Sequence, residues 1–168
     1  MSGSDHRHHL ALFPGTFDPF TLGHLDVLRR ALSVFDRIDV TVAINSSKTP
    51  ILALEERCEL ILASVSGMDG VSVTAFDGLL VDHARATGAT ALVRGLRQVN
   101  DLDYEQRMAF ANRRLFPGLE TVFFMPSEQY ALISGSLVRE IYRWGGDIAP
   151  FVPPPIAEAL LSRRSAAE

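Results

Sequence analysis

The chain has 168 residues, of which 47% are apolar and 21% charged, and 20 acidic against 16 basic side chains give a net charge of −4. This length supports one globular domain, and the composition excludes a disordered chain and an electrostatically driven nucleic-acid binder. No apolar run is long enough to span a bilayer, there is no secretory signal pattern, and one cysteine excludes a disulfide framework or a cysteine-based metal site. We therefore expect a cytoplasmic protein that binds neither nucleic acid nor membrane.

Residues 1–9, MSGSDHRHH, are polar and precede any periodic pattern. Such a segment is typical of a disordered or tag-like leader, although its histidines could alternatively bind a metal ion. We expect the folded domain to comprise residues 10–168.

From Leu10 onward, short apolar runs typical of buried strands alternate with apolar residues at helical spacing. The runs predict five strands, at 10–13, 38–44, 71–76, 91–93 and 121–125. The helical patterns predict helices at about 25–35, 54–65, 79–87, 104–115, 137–144 and 156–164. This alternation is typical of an α/β fold, and we expect a single-domain, Rossmann-like, parallel five-stranded sheet with helices on both faces and a C-terminal helical segment.

Ligands of such sheets bind beyond the carboxyl ends of the strands, so the segments after each strand form the candidate site. In residues 14–24, Gly15 and Gly23 let the backbone approach a ligand, and Thr21 suits a helix N-cap. His24 would then lie in the first helical turn beside free N–H groups, an arrangement suited to phosphate. The alternative is that His24 is a buried histidine of the core.

Further cations follow the other strands. Arg94 and Arg97 come after the fourth predicted strand, where they could hold phosphate oxygens or instead pair with nearby acids. Those acids are Asp101, Asp103 and Glu105. Residues 133–139 place two hydroxyls, a glycine and an arginine at a helix start, which indicates either a phosphate site or a plain serine cap. Lys48, the only lysine against 15 arginines, lies after the second strand. Cations collected at one edge of the sheet indicate a polyanionic small-molecule ligand.

Several of these segments also resemble a known family. Residues 21–24, TLGH, resemble the T/H-x-G-H signature of nucleotidylyltransferases, and residues 133–139 resemble their second motif. The agreement extends, in order and spacing, to the bacterial phosphopantetheine adenylyltransferases through PGTFDPFTLGHLDVLRRA, Lys48 before Pro50, LEER, VRGLR, DYE and ISGSLVRE. The resemblance spans roughly residues 10–162. Gly135 departs from it, because many members carry a serine there.

The resemblance implies transfer of the adenylyl group of ATP to 4′-phosphopantetheine, giving dephospho-coenzyme A and pyrophosphate. It also implies Mg²⁺ carried with ATP, no dedicated protein metal site, and a homohexamer. Two alternatives stay open: another small-molecule nucleotidylyltransferase, of the nicotinamide mononucleotide or cytidylyl type, and a non-catalytic nucleotide-binding regulator.

By position in the motifs, the resemblance implies that His24 is the catalytic residue, which stabilises the transition state. We expect its helix dipole to lower the pKa of the free imidazole. The implied ATP-binding residues are Thr16, Phe17, His24, Gly95, Leu96, Arg97, Glu105, Tyr130, Ala131, Leu132, Ile133, Ser134, Gly135 and Ser136. The implied phosphopantetheine-binding residues are Thr16, Lys48, Leu80 and Arg94.

Overall fold

Strands and helices alternate along the chain, as the sequence predicts. The computed structural model describes residues 9–44 and 50–166, so Lys48 and residues 1–8 of the expected leader lie outside the described ranges. The elements are β1 (Leu10–Gly15), α1 (Leu22–Ala31), β2 (Arg37–Ala43), α2 (Leu54–Ser64), β3 (Val71–Phe76), α3 (Leu80–Thr87), β4 (Ala91–Gly95), α4 (Val99–Leu115), β5 (Glu120–Phe124), α5 (Gly135–Arg143) and α6 (Pro154–Ser165). None of the helices in the described ranges combines the length and apolar character needed to cross a bilayer.

The five strands form one parallel sheet in the order β3-β2-β1-β4-β5. This confirms the predicted α/β fold. Because the chain first adds strands on one side of β1 and then returns to place β4 on its other side, the strand order reverses between β1 and β4. Ligand clefts of open parallel sheets form at such reversals.

The central strand β1 faces two cores. Phe13 is buried in the larger core together with Leu28 of α1 and Ile61 of α2. Leu12, whose side chain points to the opposite face because side chains alternate along a strand, packs with Val81 of α3. Helices therefore cover both faces of the sheet, which explains why the strand sequences are apolar runs rather than alternating patterns.

Several predicted boundaries are wrong, and three of them concern β1, β4 and α4. β1 continues through Gly15, which pairs with Val42 of β2. β4 continues through Gly95, which pairs with β5, and α4 begins at Val99 rather than near residue 104. Ladder hydrogen bonds to neighbouring strands hold the glycine-containing strand ends extended, and the sequence alone does not reveal them. The segment expected to be a long loop after β4 is consequently short.

Candidate active site

A cleft of about 490 Å³ opens at the carboxyl ends of β1 and β4. The predicted site residues that line it are Thr16, Phe17, His24, Leu80, Arg94, Gly95, Arg97, Glu105, Ile133, Ser134, Gly135 and Ser136. Leu96, Tyr130, Ala131 and Leu132 are its chain neighbours but do not line it. The fold therefore brings together the segments after β1, β4 and β5, as expected of strand carboxyl ends.

His24 is fixed by a capping box at the start of α1. The Thr21 hydroxyl oxygen accepts the His24 backbone N–H at 3.3 Å, and the Thr21 N–H donates to His24 Nδ1 at 2.9 Å. The imidazole thus takes the place that Glu or Gln usually has in such a box. Because Nδ1 accepts a hydrogen bond, the proton of the neutral ring lies on Nε2, which leaves an N–H that can donate to a ligand.

The surroundings of His24 keep it neutral. The ring packs against Phe17 and Phe20, with centroids 5.1 and 5.5 Å away. Burial, together with the positive charges of Arg97 and Arg94, lowers the pKa of His24 from 6.5 to about 3. A lowered pKa was expected from the helix dipole, but the causes in the structure are burial and the positive charges of the two arginines. His24 therefore both packs on aromatic rings and faces the cleft.

Residues 14–18, which we call the floor of the cleft, are held by three arginines from three different elements. Arg94 of β4 donates to the Pro14 carbonyl at 2.8 Å. Arg57 of α2 donates to the Thr16 carbonyl, and Arg139 of α5 donates to the Asp18 carbonyl at 2.6 Å. Three alternate carbonyl groups of the floor are thus bound by guanidinium groups.

The backbone of the floor has an uncommon conformation. Phe17 has a φ of 48°, in the left-handed region that a bulky residue rarely adopts. Its ring is buried and lies over Gly15, where a Cβ atom would come within 2.8 Å of it. Neither the Thr16 nor the Phe17 N–H has a hydrogen-bond partner among the described residues. The floor thus offers two unpaired donors at the cleft, and Gly15 is required for that arrangement.

Arg94 and Arg97 have different environments. Arg94 forms a two-pronged ion pair with Glu105, with hydrogen bonds of 2.8 and 2.5 Å, and Glu105 is buried. Arg94 therefore forms an ion pair with one of the acids expected near it, and it also lines the cleft. The Arg97 guanidinium is 3.9 Å from the carboxylate of Asp101 and 3.4 Å from the carbonyl of Ile133, both loose contacts. Arg97 can reorient toward a ligand at little cost.

The N-terminus of α5 also lines the cleft. Ser134 caps the helix by accepting the Leu137 N–H at 3.1 Å. The N–H groups of Gly135 and Ser136, in the first turn, have no hydrogen-bond partner among the described residues. The same is true of the Gly23 N–H at the start of α1. Two helix N-termini with unpaired N–H groups favour bound phosphate.

The α1 and α5 sides are braced against each other. A Cβ atom on Gly23 would lie 3.3 Å from the carbonyl oxygens of both Tyr130 and Ile133, so glycine permits this close approach. The Asp26 carboxylate accepts the Ser127 N–H at 2.7 Å and its hydroxyl at 2.9 Å. Partial burial opposes ionisation of Asp26, but these bonds and one from Arg30 outweigh it and hold its pKa below the usual value.

The comparisons with known proteins agree with this geometry. Residues 12–141 match the cytidylyltransferase-like family model. The phosphopantetheine adenylyltransferase of Thermodesulfovibrio yellowstonii is 49% identical over 153 residues, covering 90% of this chain and 95% of that protein. The enzyme of the same name from Azoarcus sp. is 48% identical over 159 residues, covering 95% and 98%. The chain belongs to the phosphopantetheine adenylyltransferase family.

Beyond the family, the fold is shared more widely. The structure of a bifunctional NMN adenylyltransferase/ADP ribose pyrophosphatase from Francisella tularensis superposes with a TM-score of 0.72 at 15% identity, over 92% of this chain and 49% of that one. At that identity the likeness concerns the fold alone. It adds nothing in favour of the nicotinamide mononucleotide alternative.

In this member of the phosphopantetheine adenylyltransferase family, the part of the cleft lined by α3 and α4 is largely apolar. It includes Leu80 of α3 and, on α4, Tyr104 of the DYE segment with Met108 and the amide Asn112, which lie outside the motifs. Their i, i+4 spacing along one helix is a signal that could have identified them, once Glu105 was assigned to the site. The cleft is therefore polar and cationic on one side and apolar on the other.

Proposed function

We propose that this chain transfers the adenylyl group of ATP to 4′-phosphopantetheine, forming dephospho-coenzyme A and pyrophosphate. Membership of the phosphopantetheine adenylyltransferase family supports this activity. The observation that carries it is a cleft with neutral His24, Arg97 and two helix N-termini on one side and an apolar wall on the other. A triphosphate matches the first side, and the aliphatic arm of phosphopantetheine matches the second.

No general base is required for this reaction. The nucleophile is a phosphate monoester, which is already mostly ionised at pH 7 because its second pKa is about 6. Catalysis then consists of holding the two anions in line and stabilising charge that develops on the phosphate oxygens. His24 donates from Nε2 as a neutral hydrogen-bond donor, Arg97 adds charge, and the unpaired N–H groups of Gly135 and Ser136 complete the set.

The remaining residues divide between the two substrates. Thr16 contacts both, Phe17 offers its backbone N–H to ATP, and Leu80 contacts the phosphopantetheine arm. Lys48 and Arg94 bind the phosphate of phosphopantetheine. Glu105 acts beside ATP with its charge already balanced by Arg94, which removes the repulsion that a free carboxylate would exert on a triphosphate. The other proposed ATP contacts are Gly95, Leu96, Tyr130, Ala131, Leu132, Ile133 and Ser134.

We propose that Mg²⁺ enters with ATP rather than on a protein site. The acids among the described cleft residues are Asp18 and Glu105. Asp18 accepts the N–H groups of Ile51 and Leu52 at 3.1 and 3.0 Å, and Glu105 pairs with Arg94. Both carboxylates are thus engaged, and Mg²⁺ readily keeps water and phosphate oxygens as its ligands. When bound, the ion would neutralise phosphate charge.

We further propose a homohexamer in the cytoplasm. Support for self-association comes from α4, where Leu102, Phe110 and Leu115 are apolar and exposed. Size-exclusion chromatography with light scattering tests the stoichiometry: the expected mass is six times that of one chain, and a monomer at micromolar concentration contradicts the proposal.

A pyrophosphate-release assay with a panel of acceptors tests the activity. Release should require ATP, Mg²⁺ and 4′-phosphopantetheine together, and mass spectrometry should identify dephospho-coenzyme A. Release with nicotinamide mononucleotide instead, or with CTP in place of ATP, would assign the chain to another nucleotidylyltransferase activity. Calorimetric binding of ATP without turnover on any acceptor would support the regulator alternative.

A further inference from the structure

Arg57 is a buried cation that has no carboxylate partner in the part of the chain that the structure describes. The side chain extends from α2 and is 5% exposed. No acidic side chain in residues 9–44 and 50–166 forms an ion pair with it, and its Nε atom is buried without any hydrogen-bond partner. A buried guanidinium in this state costs free energy, since burial of charge is unfavourable unless it is fully compensated. A charged side chain that is buried at this cost is expected to have a role beyond packing.

The bonds that Arg57 does make join two strand ends at the cleft. Its Nη1 donates to the carbonyl of Thr16, directly after β1, and at 3.4 Å to the carbonyl of Ala43, the last residue of β2. Thr16 and Ala43 both line the cleft, whereas Arg57 does not. Arg57 can therefore affect the cleft only through the backbone of residues that line it.

The bond to Thr16 fixes the orientation of a peptide group. The Thr16 carbonyl belongs to the same peptide plane as the Phe17 N–H, so a guanidinium that holds the carbonyl on one side directs that N–H to the other. The Phe17 N–H has no partner among the described residues, and Phe17 has a positive φ. A strained, unpaired donor of this kind keeps its direction only when its surroundings enforce it.

We propose that Arg57 is a positioning residue for adenylyl transfer: by holding the Thr16 carbonyl it directs the Phe17 N–H toward the phosphate groups. This inference rests on the proposed function. Arg94 and Arg139 hold the neighbouring carbonyls of Pro14 and Asp18, but both also line the cleft. Arg57 is the floor arginine whose effect can be measured without removing a group that faces the ligand.

The test compares Arg57→Met, which keeps the volume without charge or donors, and Arg57→Lys, which keeps the charge and a donor. Arg164→Met is the matched control, because Arg164 also donates to a backbone carbonyl, that of Gly146, at 3.2 Å but lies outside the cleft. Circular dichroism and melting temperature establish the folded fraction. All kinetics are measured at least ten degrees below each melting temperature.

We expect Arg57→Met to lose about 10²-fold in kcat, as for a displacement of about 1 Å at the reacting centre, while KM for ATP changes by only a few fold. Arg57→Lys should recover part of kcat, and Arg164→Met should match the wild type. A folded Arg57→Met with kcat within about threefold of wild type would overturn the proposal, because a purely structural residue leaves the folded enzyme active. If Arg57→Met does not fold, Arg57→Lys decides by the same criterion against a predicted loss of about tenfold.

Calorimetric titration of MgATP separates this proposal from the proposed function. If wild-type protein binds MgATP but shows no turnover with phosphopantetheine, the proposed function fails. The positioning role is then judged from binding alone: an increase in Kd of about threefold for Arg57→Met, with no change for Arg164→Met, supports it, and a Kd for Arg57→Met equal to that of the wild type contradicts it.

Discussion

The floor of the cleft and a second set of residues that line it use the same kinds of polar groups for different purposes. At the floor, residues 14–18, the guanidinium groups of Arg57, Arg94 and Arg139 bind protein carbonyls. In the second set, which we call the donor side (His24, Arg97 and the first turn of α5), the donors have few partners among the described residues. The hydrogen-bond partners of a cation at the edge of the sheet therefore show whether it holds the backbone, as Arg57, Arg94 and Arg139 do, or stays available to a ligand, as Arg97 does, and a cation such as Arg94 can hold the backbone and still line the cleft.

The largest expected effect is on the donor side. His24→Ala should reduce kcat by about 10²–10³-fold, the usual result of removing one donor to developing oxyanion charge. His83→Ala is the matched control, because His83 packs on Phe76 of β3 and does not line the cleft. Steady-state kinetics of both variants make the comparison. Near-wild-type kcat for His24→Ala would show that this histidine only packs in the core.

For the Arg94–Glu105 ion pair, the effect should fall on stability. Glu105→Gln leaves Arg94 without its carboxylate and should lower the free energy of unfolding by about 2 kcal/mol, less than the 3–5 kcal/mol of a fully buried pair because the Arg94 side chain is 30% exposed. Urea unfolding measures this change. Asp103→Asn is the control, since Asp103 pairs with Arg107 at the surface, where little loss is expected. Equal stability of the two variants would show that the ion pair between Arg94 and Glu105 does not stabilise the fold.

The pH dependence of stability tests the neutral state of His24 on the donor side. In the unfolded chain His24 binds a proton near pH 6.5, whereas in the folded protein its pKa is about 3. Acidification from pH 6.5 toward 3 thus favours the unfolded state, and the stabilising effect of neutral His24 is fully present above pH 6.5. The histidine NMR signal of His24 should not titrate between pH 8 and 5, and a midpoint near pH 6.5 would contradict the assigned neutral donor.

The smallest effect is expected at Gly135, the position where the motif resemblance breaks. A Cβ atom on Gly135 would lie 3.4 Å from Arg139 Nη1 and 3.5 Å from the Asp18 carbonyl oxygen, ordinary contact distances. Gly135→Ser should therefore change kcat/KM by less than about twofold. Gly23→Ala, whose Cβ would press on two carbonyl oxygens at 3.3 Å, should lower it more. The reverse ranking would indicate that Gly135 is required for catalysis.

The sequence predicted the site where local rules decide. Thr21 caps α1, and the carboxyl ends of the strands collect the motif residues. It did not predict that Arg94 forms a close ion pair and Arg97 only a loose one, because that difference depends on where α4 places Glu105 relative to β4. The start of α4 was missed for a related reason: its N-cap, Gln98, makes no side-chain capping bond that a pattern could reveal.

The role of Arg57 was also missed. The LEER segment places it on an otherwise ordinary amphipathic helix, and its carbonyl partner Thr16 lies 41 residues earlier in the chain. Contacts to backbone carbonyls leave no trace in the identity of the partner residue. Such contacts become visible only in the folded structure.

The measurement that tests the division between floor and donor side most directly is the melting temperature of wild type, Arg97→Ala and Arg94→Ala, each with and without saturating MgATP. Without ligand, Arg97→Ala should melt within about 2 °C of wild type and Arg94→Ala about 5 °C lower. With MgATP, Arg94→Ala should keep the ligand-induced rise and Arg97→Ala should lose most of it. The opposite pattern, with Arg97→Ala destabilised and still stabilised by MgATP, would contradict the account.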